Sequence, residues 1–394
     1  MGDSPLQSGR SGTLEARILR EINSAPGRKI SFSRFMELAL YAPPMPGHEA
    51  GYYMEAAVSG GRLVDFLTHP VSQSPQFGYA AGIRICDLWR IMGTPTPFEI
   101  VLMGEGDGTL LRDMLRGIKG FDPRLYGSLR VKVIEISQKM ADVQRSQISN
   151  EHPVEWVMGS VLEVDFPIIT YGVVISNELP DAFPVELISI GRDGLPRHIF
   201  VEHRNDCSDG QEFCGTGHPL QDERICEYLA LAGKPLKPRS IIPVNLNAVA
   251  WMERVTQSIQ HGYHIVFDIG VSAGLYPDEP LLWTFNQEGL LRGIFDFNPY
   301  KEVGKRDIIS SVDFDVLREV GERYGARTNL LGYEESFFWG TGWDDQPSQF
   351  LGPSNPIQRR RDETLRVGQY VGYLVMVQGI NTPAFDWQDF RELS

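Results

Sequence analysis

An apolar run, Phe98 to Met103, stops at Gly104-Glu-Gly-Asp-Gly108 and gives way to a helical pattern with Leu110, Leu111, Met114 and Leu115 on one face. No other feature limits the possible folds so strongly. It predicts a strand, a tight glycine turn and a helix N-terminus in direct succession. A Cβ on the turn would keep a ligand off the backbone. The helix aims free N–H groups and the positive end of its dipole over the turn. The pattern points to a nucleotide-like ligand without saying which one.

The flanking sequence supports an α/β sheet. Candidate strands at 99–103, 130–136, 154–158 and 172–176 alternate with helices near 109–118 and 138–149. Such alternation predicts a Rossmann-like parallel sheet with helices on both faces. Helices are also expected at 14–23, 31–41 and 76–93. A hairpin is expected over 185–190 and 198–202, through Gly191-Arg-Asp-Gly194. Beyond it the pattern predicts helices near 219–232, 245–260 and 311–325, and strands at 264–269 and 370–377. Residues 271–305, rich in Gly, Pro and aromatics with weak periodicity, are expected to be a functional loop or lid. The implied organisation is a disordered tail (1–12), an N-terminal helical region (13–94), a core (95–185, 262–270 and 366–380) and inserted substrate or lid segments (186–261 and 271–365).

Composition removes several function classes. The 394 residues carry a formal charge of −14, which argues against a chain-wide nucleic-acid footprint. Arg359-Arg-Arg361 is a short basic patch and is expected to be solvated surface. No apolar run reaches about 18 residues, so no membrane span is expected. The first residues show neither an apolar signal core nor an Arg-rich presequence, and the expected location is cytoplasmic. Cys86, Cys207, Cys214 and Cys226 form no CxxC pair and no zinc pattern, so reduced thiols and no bound metal are expected. The oligomeric state is not legible, and a homodimer stays open.

The residues after the turn narrow the ligand. The spacing Gly104-x-Gly-x-Gly108 differs from the GxGxxG dinucleotide fingerprint. The next strand, Val131-Lys-Val-Ile-Glu135, ends in an acid able to accept both hydroxyl protons of a ribose. This combination is the one used by Rossmann-like S-adenosylmethionine (SAM) enzymes. A plain βαβ turn and a nicotinamide site remain the alternatives. Gly104, Glu105, Gly106, Gly108, Glu135 and Ile136 are the candidate cofactor residues, with Ser160 and Val161 after the third strand and Asn177 after the fourth. Glu178 and Asp181 are candidate catalytic carboxylates, suited to orienting an acceptor and especially a guanidinium. His69 and His264 are candidate bases, and Asp65 and Asp268 are candidate contacts.

Several segments along residues 14–380 resemble the MidA family, to which mitochondrial complex I assembly factor seven belongs. Gly51-Tyr-Tyr53 and Asp65-Phe-Leu-Thr-His-Pro70 are similar to its GYY and DFxTSP segments. Gly104 to Leu110 resembles LGPGxGTL, and Glu135-Ile-Ser137 with Gln144 resembles VExSPxLxxxQ. The most specific match sets Asn177-Glu-Leu-Pro-Asp-Ala-Phe-Pro184 against NEFFDALPV. Asp307-Ile-Ile with Val312-Asp-Phe314 is similar to DLTxHVDF.

The resemblance implies a class I SAM methyltransferase core with helical additions, and an acceptor that is an arginine nitrogen on a protein. It carries Gly104, Gly106, Gly108 and Glu135 over as cofactor positions, and Asn177, Glu178 and Asp181 as the acceptor motif. The chain departs from the pattern at Leu102, where the family has Glu, and at Val71. Asp268-Ile-Gly270 replaces DYG, and no TQ precedes Phe337-Phe-Trp339. The cofactor half survives better than the acceptor half. A small-molecule acceptor therefore stays open beside the protein arginine, as does a cofactor-binding assembly factor without turnover.

Overall fold

The computed structural model describes residues 12–55, 58–59, 62–63, 74–148, 152–204, 211–272, 274, 276, 281–285, 291–293, 298–341 and 371–393. Residues 1–11 of the expected tail, the basic triplet at 359–361, and Asp65 and His69 lie outside them. The chain divides into two compact units.

The sheet unit comprises residues 58–180, 248–272 and 312–394. Its strands are β1 (Phe98–Met103), β2 (Leu129–Glu135), β3 (Val154–Met158), β4 (Gly172–Asn177), β5 (Gly262–Val271), β6 (Arg327–Tyr333) and β7 (Val371–Ile380). They lie in the order β3-β2-β1-β4-β5-β7-β6. Strands β1 to β5 pair in parallel, and β7 runs antiparallel between β5 and β6. The order reverses at β1, which sends β2 to one side and β4 to the other. Open sheets bind ligands at the carboxyl ends of strands at such a switch point.

Burial explains the apolar runs. Every residue of β4 and β5 is buried, as expected of parallel strands covered on both faces. Ile100 and Leu102 of β1 join a core with helices α1 (Gln76–Ile91) and α2 (Thr109–Phe121). On the opposite face Trp251, from α4 (Leu246–Ser258), donates its indole N–H to the Met103 sulfur at 3.5 Å. This unit also holds α3 (Gln138–Gln147), α5 (Phe314–Arg323) and a short helix at Pro123–Ser128. Ser137 caps α3 and Asp313 caps α5, the residue types that helix starts favour.

The second unit comprises residues 1–57, 181–247 and 273–311. The expected hairpin is present as Glu186–Ile190 and Pro196–His203, at the centre of a five-stranded antiparallel sheet. Lys29–Ser31, Phe213–Pro219 and Ile241–Val244 complete that sheet. Part of the segment expected to be a loop is a small sheet of Leu282–Phe285, Leu291–Gly293 and Ile309–Ser310.

Boundaries fall differently from those the pattern suggests. Helix α1 belongs to the sheet unit rather than to a separate N-terminal region. Most of α4, all of α5 and β6 belong there as well, not to an insertion. The expected helix at 311–325 starts only at Phe314, because Val312–Asp313 pairs with the end of β5.

The position of α2 depends on glycine. A Cβ at Gly82 of α1 would stand 2.4 Å from the Met114 carbonyl oxygen and 2.9 Å from the Ile118 amide nitrogen. Backbone atoms cannot yield as a flexible side chain can. Gly82→Ala is therefore expected to lower stability by about 1–3 kcal/mol, measured by urea unfolding. An unchanged midpoint would contradict the close packing.

Candidate functional site

The glycine turn joins β1 to α2 with three residues in the left-handed region, Gly104 (φ 65°), Gly106 (φ 60°) and Gly108 (φ 91°). A Cβ at Gly104 would meet the Leu179 side chain at 2.9 Å, one at Gly108 the Gln144 backbone at 3.1 Å, and one at Gly106 nothing within 4 Å. The turn is thus packed at both ends and open in the middle.

Glu135 ends β2 beside this turn. Ser137 N–H donates to its Oε1 at 2.8 Å, and the Gln144 amide donates to its Oε2 at 2.9 Å. The same Gln144 amide donates to the Gly106 carbonyl at 3.0 Å, while Gln144 Oε1 accepts from Trp156 Nε1 at 3.0 Å. One fully buried glutamine therefore ties the turn, the acid and β3 together. Each carboxylate oxygen carries two lone pairs, so Glu135 keeps acceptor capacity for a ligand. Burial raises its pKa, against the opposing pull of the Ser137 and Gln144 donors.

The field over the turn is negative. Asp107 Oδ1 accepts from Thr109 N–H at 3.0 Å, and Glu105 Oε1 from Leu111 N–H at 2.7 Å. Two of the free amides that normally attract an anion to a helix start are thus taken by the chain's own acids. Burial pushes Glu105 well above the ordinary carboxylate range, and the nearby Asp107, Glu135 and Asp113 add to the shift. Arg112, on the first turn of α2, is held by Asp113 at 2.8 Å. A pyrophosphate would meet this acidic surface unfavourably, whereas a cationic ligand is matched to it. The residues present therefore fit a sulfonium cofactor and disfavour a nicotinamide dinucleotide.

The other candidates sort clearly. Ile136, which follows Glu135, is 37% exposed and Val161 is buried. The Ser160 hydroxyl accepts from Leu162 N–H at 3.2 Å, a local turn role. Gly159 N–H donates to the Glu135 carbonyl at 2.9 Å and brings this loop to the same sheet end. Asn177 closes β4, its amide 3.4 Å from Glu178 Oε1. Glu178 holds a φ of 47°, and its N–H donates to the Phe267 carbonyl at 2.9 Å. Strain in a side-chain-bearing residue at a strand end is a mark of functional sites. His264 lies within β5, fully buried against Trp251, and neither ring nitrogen has a partner among the described residues. Burial lowers its pKa to about 3, which removes it as a base. Asp268 is buried beyond Phe267 and accepts from Ile269 N–H at 2.7 Å.

Asp181 belongs to the second unit and has a different setting. There Ser310 Oγ is 3.5 Å from its carbonyl, and the Tyr53 hydroxyl is raised by burial first and then by Tyr41, Asp307 and Asp181. Tyr41 stacks on Tyr53 at 5.4 Å and donates to the Ala182 carbonyl at 3.0 Å. Asp307 accepts from the Thr284 hydroxyl at 2.8 Å. The sequence pattern does not mark the roles of Gln144, Leu179 and Tyr53. Gln144 and Tyr53 stand inside motifs, yet nothing in the spacing announces their contacts.

A family model described as "Putative S-adenosyl-L-methionine-dependent methyltransferase" matches residues 80–332. The human mitochondrial protein arginine methyltransferase NDUFAF7 is 31% identical over 329 residues, covering 77% of this chain and 69% of its own. Its Drosophila melanogaster homolog is 27% identical over 296 residues, covering 70% of this chain. The chain spans 64% of that fly relative's length. A Burkholderia thailandensis protein solved with S-adenosyl-homocysteine superposes with a TM-score of 0.73 at 22% identity, covering 98% of this chain and 97% of that one.

Gln144→Ala leaves the Glu135 carboxylate, the Gly106 carbonyl and the Trp156 indole each short of a partner. Such a loss is expected to cost about 1–3 kcal/mol for a group left buried, read by chemical denaturation. A change within about 0.5 kcal/mol, the range of ordinary surface substitutions, would show that the glutamine is no clamp.

Proposed function

We propose that this chain, which belongs to the S-adenosyl-L-methionine-dependent methyltransferase family, transfers the sulfonium methyl group of SAM to a nitrogen of a protein arginine. The observation that carries the cofactor side is the acidic, helix-capping turn at 104–108 beside Glu135. The acceptor class is supported by the relatives, which are named protein arginine methyltransferases.

The bound cofactor supplies an electrophilic methyl group, and the chain supplies position and a dry surrounding. Glu135, its geometry set by Ser137 and Gln144, would accept the ribose hydroxyls. The open backbone at Gly106 would admit the ligand, and Ile136 and Val161 would flank the adenine. Glu178, held by Asn177 and by its strained backbone, would orient the acceptor nitrogen toward the methyl group. Methyl transfer gains chiefly from such alignment. Asp181, within its own cluster of tyrosines and Asp307, is assigned to cation recognition. A cytoplasmic location is part of the proposal and rests on the sequence pattern, in which the four cysteines form no pair motif.

Glu135→Ala is expected to weaken SAM binding by about 1–3 kcal/mol through loss of a charged hydrogen bond, measured by calorimetry. Unchanged affinity would remove its ribose role. Glu178→Gln is expected to keep SAM binding and lose at least about tenfold in turnover, and full activity would exclude it from acceptor positioning. Turnover is read by mass spectrometry of cell extract incubated with the enzyme and SAM. Methylated arginine in protein supports the acceptor. A methylated metabolite would replace it, and binding without any product would indicate an assembly factor.

A further inference from the structure

The glycine turn holds a buried carboxylate oxygen that has no hydrogen-bond partner among the described residues. Glu105 Oε1 is engaged by the Leu111 amide, but among the described residues Oε2 has no hydrogen-bond partner, although the residue is only 6% exposed. Buried polar atoms are nearly always satisfied, so an orphan calls for a ligand. This one is held over the first turn of α2, next to the open backbone of Gly106.

The groups facing Glu105 set the sign of that ligand. Asp107 flanks it in the turn, Asp113 faces it from α2 and Glu135 from the end of β2. The cation of this set is Arg112, and its guanidinium is committed to Asp113 through Nε at 2.8 Å and Nη2 at 3.0 Å.

We propose that Glu105 is the charge-specificity residue of this site. Its uncommitted oxygen faces the cationic end of the bound cofactor, and the site thereby favours the sulfonium form over the neutral thioether left after transfer. The inference rests on the reading that the turn holds SAM, and it adds a basis for telling cofactor from spent product. Burial raises the pKa of this carboxyl, and a cation beside it opposes that shift. Uptake of the sulfonium shifts it toward the ionised form and releases protons, whereas uptake of the thioether does not. Since folded Glu105 titrates above its ordinary value, SAM affinity rises with pH toward that raised value while thioether affinity stays flat. By reciprocity, the factor by which the sulfonium favours ionised Glu105 is the factor by which ionised Glu105 favours the sulfonium.

The test is calorimetric titration of wild type and Glu105→Gln with SAM and with S-adenosylhomocysteine, in two buffers of different ionisation enthalpy. Wild type is expected to release a proton with SAM alone. The Gln variant retains an oxygen for the Leu111 amide. It is expected to lose about tenfold in SAM affinity, the equivalent of one pKa unit, to bind the thioether unchanged and to release no proton. Equal weakening of both ligands, or an unchanged preference, would overturn the role. Should the variant fail to fold, the wild-type proton count still decides, and equal release with both ligands contradicts the proposal. A wild type that binds neither ligand would instead defeat the underlying cofactor reading.

Discussion

The occupation of α2's first amides by Glu105 and Asp107 governs the chemistry of this molecule. A helix N-terminus is by default an anion site. Here the chain fills it with its own carboxylates and surrounds them with Glu135 and Asp113. The turn keeps the shape of a nucleotide cradle and takes the opposite sign. A ligand with a ribose and a positive charge satisfies both constraints, and a pyrophosphate satisfies only the shape.

Gln144 turns that local property into a site. Its side chain spans the Gly106 carbonyl, Glu135 and the Trp156 indole, so the glycine turn and two strands of the sheet contribute to one network. Such networks are stiff when every member is satisfied. The close approach of α1 to α2 at Gly82 fixes the other side of the same helix. The turn is therefore held from the sheet and from the helical layer.

Much of this was legible in the residues. Strands β1, β4 and β5 lie inside the sheet and read as plain apolar runs, and the glycines at 104, 106 and 108 do require left-handed backbone. Elements that escaped had a physical reason to do so. Strand β6 lies at the sheet edge, is only partly buried and carries a register shift between Thr328 and Leu330, so its pattern has no clean period. Phe213–Pro219 holds two glycines and a terminal proline, which read as turn residues, although the sheet of the second unit absorbs them. His264 has the composition of a candidate base, but composition says nothing of depth, and complete burial makes it inert. Residue type announced Glu135 and Glu178. The orphaned oxygen of Glu105 and the clamp of Gln144 are properties of three-dimensional neighbours and have no trace in spacing.

The sign of charge that this turn accepts is tested most directly by equilibrium titration of the wild-type chain with SAM, and separately with NAD and NADP under the same conditions. Saturable binding of SAM is predicted, with no competition from either dinucleotide. Saturable binding of NAD or NADP that displaces SAM, or the absence of SAM binding, would contradict the assignment of this turn as a sulfonium site.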